Sequence, residues 1–217
     1  MTISVQPSNY ISWARNPLGR IVGSFASWLL FSFCMMLLVQ GFFGLMAVGG
    51  SCADGGPYVS AQPCPDAVAL FMPLSIFGGL AAVAIAMIFT QGFGTSLLDL
   101  AWPILFCGLG AGFLWAFVAT GDPVGLIIGG MFELMGLIPL VLALRASAQR
   151  VFLGAVNVRG ERFYEGDVVR NSFVGVKYGR SDNPVLPSFS DWSLSLVSWL
   201  VAMALGYYLA QAAYAAV

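Results

Sequence analysis

Histidine is absent from the 217 residues, and charged side chains make up only 9% of them. Without histidine there is no Ser-His-Asp or Cys-His nucleophile system, no near-neutral imidazole relay, and none of the commonest zinc and haem ligand. Soluble domains carry about 25% charged residues; this chain has too few to cover a water-facing surface. The net charge of −1 leaves no basic excess, so a nucleic acid is not an expected partner. Walker loops and dinucleotide fingerprints are also missing. No catalytic residue, metal ligand or cofactor is expected. Cysteine is sparse at four residues, too few for a disulfide scaffold and without a Cys-x-x-Cys pair.

What is abundant is apolar: 59% of the chain. A helix needs about 20 such residues to cross roughly 30 Å of hydrocarbon. Five stretches qualify, at 21–47, 67–89, 98–119, 124–144 and 192–216. Period-2 alternation is absent, which argues for helices over a membrane barrel. The first run is about twice the length of a signal-peptide core and is read as a retained span. The expected fold class is an all-α integral membrane protein of five transmembrane helices. Its organisation is a segment 1–20, a four-helix unit 21–145 with an outer loop 48–66, a basic segment 146–191, and a fifth helix 192–217.

Charge placement predicts the orientation. Arg15 and Arg20 precede the first span, and Arg145, Arg150, Arg159, Arg162, Arg170, Lys177 and Arg180 lie between the fourth and fifth. Five crossings put all nine on one side. The positive-inside rule then predicts a cytoplasmic N-terminus and an outer C-terminus.

Cys52 and Cys64 flank the outer loop CADGGPYVSAQPC. That side permits disulfides, and closing a loop of this length contributes about 3 kcal/mol in the chain-entropy model. A structural staple is the main reading; a redox-active pair or two unpaired thiols are the others. Cys34 and Cys107 lie inside spans as small apolar residues. The pattern Cys52-x-x-Gly55-Gly56-Pro57-Tyr58, then Cys64-Pro65, resembles multi-span membrane proteins of actinobacteria. The resemblance covers only the loop; it implies a bacterial plasma-membrane location and no activity. The small accessory membrane subunits of lipid importers of the mammalian-cell-entry class are similar in size.

Two acidic residues fall within or beside spans. Glu133 lies near mid-membrane, where a carboxylate costs several kcal/mol unless protonated or paired. Its expected partners are Ser32, Gln40 or Ser75, or a donor from another subunit; a proton or cation site is the functional alternative. Asp99, at the start of the third span, suits a helix N-terminus, where negative charge is favoured.

Small residues recur every four positions: Ser198, Ala202, Gly206 and Ala210 on the fifth span, Gly78, Ala82 and Ala86 on the second, Gly108 and Gly112 on the third, Gly125 and Gly129 on the fourth. Such stripes let helix backbones approach closely, for packing within the chain or for docking another subunit. Segment 146–191 interleaves Val, Phe and Tyr with glycine, which predicts short strands. Its basic residues Arg150, Arg159, Arg162, Arg170, Lys177 and Arg180 suit anionic lipid headgroups or a second subunit. The function expected from these features is a non-catalytic accessory subunit of a larger inner-membrane complex, such as a lipid transporter. The alternatives are a small transporter or channel using Glu133 and a membrane thiol-disulfide protein.

Overall fold

The computed structural model describes residues 16–48, 64–90, 92–163 and 185–216. These residues form five helices: α1 (Pro17–Ala47), α2 (Asp66–Ile85), α3 (Leu97–Thr120), α4 (Pro123–Leu153) and α5 (Phe189–Ala215). α2 continues into a π-helical turn, Ala86–Thr90. All five helices are long and apolar enough to cross a membrane. The chain is an all-α, multi-pass membrane protein.

The helix boundaries follow local chemistry. Pro17 occupies the first position of α1, where its missing N–H is no loss. Ser96 caps α3 by accepting a bond from the Asp99 N–H at 3.3 Å. Gly121, in the left-handed conformation, ends α3, and the Asp122 carboxylate caps α4 one residue later by accepting from the Val124 N–H at 3.0 Å. Ser188 and Asp191 form a reciprocal capping box that opens α5.

Hydropathy stops the fourth span at 144, and the unbroken helix ends close by, at Ala146. What departs from the expectation is a further helical turn that runs to Leu153. The backbone turns extended at Ser147, whose hydroxyl accepts a bond from the Arg150 N–H at 3.1 Å. A fresh cap thus starts one last helical turn after the break. Arg145 and Arg150, expected to border or lie in a solvated connector, are helical residues as a result.

No strand forms among the described residues of the segment expected to be β-prone. Residues 154–163 fold back in a loop held by isolated bridges: Phe93 to Gly154 and Val156, Val156 to Arg162, and Phe163 to Val185. Arg170, Lys177 and Arg180 lie outside the described residues, as does Cys52.

The helices pack as two groups. α1 is central to the first, with α2 and α5 against it, and α3 pairs with α4 in the second. Gly206 of α5 sits on α1, so close that an added Cβ would lie 2.6 Å from the Leu29 carbonyl and 2.7 Å from the Ser32 Cβ. The Ser32 hydroxyl crosses the same seam to donate to the Met203 carbonyl at 2.7 Å. α2 meets α1 where Gly78 lies on the Cys34 side chain and Gly41 on Met72. In the second group, Gly129 and Gly136 of α4 rest on Gly110, Leu114, Cys107 and Pro103 of α3. The groups join through a core of Trp28, Phe31, Ala82, Ala86, Leu97, Leu100, Val151 and Ala202. Further along α1, Phe42 stacks on Phe113 and Phe43 on Trp115 of α3.

Close backbone contact replaces apolar burial as the source of cohesion here, because lipid tails solvate leucine as well as another helix does. Gly206→Val should therefore lower the thermal unfolding midpoint of the detergent-solubilised protein, by a destabilisation of about 1–3 kcal/mol. Gly79→Ala, at a helix-interior site where an added Cβ meets nothing within 4 Å, should leave the midpoint unchanged or raise it slightly. Equal midpoints for both variants would refute the packing account.

Candidate functional site

Two places concentrate polar chemistry: one end of the bundle, and a single carboxyl on α4. The start of α1, the α2–α3 junction, the end of α4 and the start of α5 meet at one end, through the bonds described next. The described arginines, Arg20, Arg145, Arg150, Arg159 and Arg162, sit at or near it.

This basic end is built around residues 92–96 and 151–155, which run side by side. Ser96 N–H donates to the Val151 carbonyl at 2.8 Å, Gly94 N–H to Leu153 at 3.2 Å, and Ala155 N–H to Gly92 at 2.7 Å. Gly154 is the hinge of the arrangement. Its φ of 86° is in the left-handed region, and the Gly92 carbonyl occupies the space where a side chain would start. Both facts require glycine.

Side chains from α1 and α5 then lock onto this double segment. The Trp28 indole N–H donates to the Thr95 carbonyl at 2.8 Å. The hydroxyls of Thr95 and Ser195 both reach the Phe152 carbonyl, at 3.1 and 2.7 Å. Trp28, Thr95 and Ser195 are all buried. Trp199 stacks edge-on against Trp28, with ring centroids 5.7 Å apart, and lies 6.2 Å from Phe152.

Arg20 completes the knot. It is buried at 7% exposure, although its position before the first hydrophobic stretch predicts a solvated residue. Its Nη1 donates to the Val158 carbonyl at 3.0 Å, and its guanidinium lies where a Gly160 side chain would otherwise begin. Asn157 shapes the turn that receives it. The Asn157 side-chain Oδ1 accepts from the backbone N–H of Arg159 and Glu161, and its side-chain amide donates to the Glu161 carboxylate at 2.7 Å. The α1 helix is thereby tied to a loop 138 residues away in sequence.

Asp99 belongs to this end and not to the membrane interior. It stands in the first turn of α3, with its carboxylate 3.7 Å from Arg150. Both partners are partly exposed, and a pair of this kind adds at most about 1 kcal/mol. Arg159 and Arg162 are exposed on the returning loop.

Glu133 lies elsewhere, on the partly buried edge of α4 against α3. Its carboxylate and Cγ lie against Gly110, about 3.0 Å from where a Cβ on that glycine would stand, and the Cys107 thiol is nearby. None of the expected partners bonds it. Ser32 donates to Met203, Ser75 donates to Met72 within its own helix, and the Gln40 Oε1 has no partner. The α5 stripe is divided: Ala202, Gly206 and Ala210 are buried within the chain, while the Ser198 hydroxyl is left without a bond. Gly125 and Gly129 face Phe113, Phe117, Leu114 and Gly110 of α3. Cys34 and Cys107 are free thiols, whereas Cys64, at the entry to α2, is engaged. No three metal-ligating side chains converge among the described residues.

The sequence did flag Glu133 and Asp99. It gave no sign of Trp28, Thr95, Ser195 or Asn157, which are unremarkable until separate helix ends bring them together. Trp28→Phe keeps the ring but removes the N–H from a buried carbonyl, a loss of about 1–3 kcal/mol that thermal unfolding in detergent should show. Arg20→Met should leave α1–α5 packing intact yet speed amide exchange across 155–160. Unaltered exchange there would mean that Arg20 does not hold the loop. No family model, curated protein or solved structure matches the chain.

Proposed function

We propose that this protein is a non-catalytic accessory subunit of a larger complex in a bacterial plasma membrane, with its N-terminus cytoplasmic and its C-terminus outside. The observation that carries the reading is the use made of the polar groups at the basic end. Arg20, Trp28, Thr95 and Ser195 each bond a backbone carbonyl on a different element. These bonds fix helix ends to one another. A body joined in this way serves as a fixed structural part, in contrast to a carrier, whose helix groups must rock against one another to alternate access.

Two further features support it. The α3–α4 hairpin shows a broad apolar exterior, with Trp115, Val118, Ile127, Leu134 and Ile138 each at least half exposed. That surface is wide enough for a neighbouring subunit as well as for lipid. At the other extreme, Arg159 and Arg162 are exposed on a loop pinned in place by Arg20. A held basic loop suits anionic headgroups or an acidic partner surface. The Cys52–Cys64 staple belongs to the same picture, as a brace for the outer loop between α1 and α2.

Purification of the full chain in mild detergent, read by mass spectrometry, tests the proposal. Larger membrane proteins recovered in fixed ratio support it, and recovery of free monomer alone overturns it. Orientation has its own check. A C-terminal reporter that works only outside the cytoplasm should be active, and one that works only in the cytoplasm should be silent.

A further inference from the structure

Glu133 is the eleventh residue of α4, which puts it about 15 Å along the helix axis, near the middle of a hydrocarbon layer roughly 30 Å thick. It is partly exposed there. Its described neighbours are the Cys107 thiol and the bare backbone of Gly110. A thiol is a weak donor and offers no charge. An acidic side chain at such depth is costly unless a partner meets it.

The surface around Glu133 is shaped for close approach. Gly130 and Leu137 share its edge of α4, at helical spacings of three and four residues. Ala111, next to Gly110, is exposed on the neighbouring helix α3. A Cβ added at Gly130 would meet nothing within 4 Å, so α4 backbone is open beside the carboxyl.

We propose that this edge of the α3–α4 hairpin is the docking face for a transmembrane helix of a different protein that brings a Lys or Arg side chain to the level of Glu133. Charge complementarity selects the occupant. A lipid tail offers no donor. A second copy of this chain in the same orientation cannot supply one either, because the basic residue nearest Glu133 along α4, Arg145, is twelve positions further on, about 18 Å deeper. The small residues Ala111 and Gly130 let a foreign helix come close enough for an ion pair sheltered from water. The assignment rests on the accessory-subunit reading and names the surface through which that role is exercised.

A photoreactive amino acid placed at Gly130 or Leu137 of the full chain, activated in the native membrane, tests the proposal. The expected product is an adduct to a membrane-spanning peptide of another protein with Lys or Arg within about one turn of the attachment point. Its yield should fall by about tenfold or more in Glu133→Leu and persist in Glu133→Asp. Ala111→Trp, which leaves the carboxyl in place but fills the approach, should abolish the adduct. All three variants are compared at the parent's elution volume and thermal midpoint. Adducts only to lipid, to a second copy or to a helix without a basic residue overturn the proposal, as does a yield indifferent to Glu133→Leu. If partners copurify with the parent chain but no adduct forms at these positions, the docking face is wrong and the accessory reading stands. If nothing copurifies, both fall.

Discussion

The bond from the Trp28 indole to the Thr95 carbonyl is the contact on which the two helix groups depend. It runs from the central helix of one group to the first residues of the other. Around it Thr95 and Ser195 converge on the Phe152 carbonyl, so α1, the approach to α3, the end of α4 and the start of α5 share one hydrogen-bonded node. In lipid, apolar surface gains little by leaving the solvent. The helices cohere where backbones come close enough for dispersion and where buried polar groups find partners. Both occur at the basic end, which also holds the cluster of buried apolar residues.

The bundle is consequently uneven. α1 is buried at Trp28, Phe31, Cys34 and Leu37, as befits a helix with neighbours on two sides. α4 has Gly129 and Gly136 as its buried residues before the final turn, both against α3. The hairpin is thus anchored firmly at its basic end and presents much of its length to the surroundings. This asymmetry separates two roles. The basic end is a braced platform, and the hairpin beyond it is the part of the bundle least covered by the chain itself.

Much of the fold was legible because its causes are local. A run of apolar residues about as long as the membrane is thick is a helix whatever surrounds it. Pro17, Ser96, Asp122 and Ser188 mark helix starts through residue types that cap or begin helices by themselves. The end of α4 was not legible, because its final turn is bound to Gly94 and Ser96 on another segment; hydropathy cannot register that support. The β-branched and aromatic residues after Gly154 suggest strands, yet the described part forms only isolated bridges. Its backbone partners are the irregular 92–96 segment and the turn around Asn157, not a sheet edge. Arg20 looked like a marker of sidedness. In the structure it is a buried tie, because Gly160 leaves room for a guanidinium.

The sequence by itself determined how many times this chain can cross a membrane and which ends carry its positive charge. Both follow from one-dimensional quantities, apolar run length and charge position. Only the tertiary structure decided which glycines face a neighbour and which face open space. Gly206 and Gly136 are enclosed, while Gly108 and Gly130 are not, though all sit in similar small-residue contexts. It also decided which polar groups are satisfied within the chain. Ser32 and Ser195 find carbonyls on other elements, whereas the Gln40 Oε1 and the Ser198 hydroxyl find none. The physical reason is that a helix presents every side of its surface at once. The direction in which it docks is set by the fit of whole helices, a sum over contacts between residues as far apart as Ser32 and Met203 or Arg20 and Val158, which no local stretch encodes.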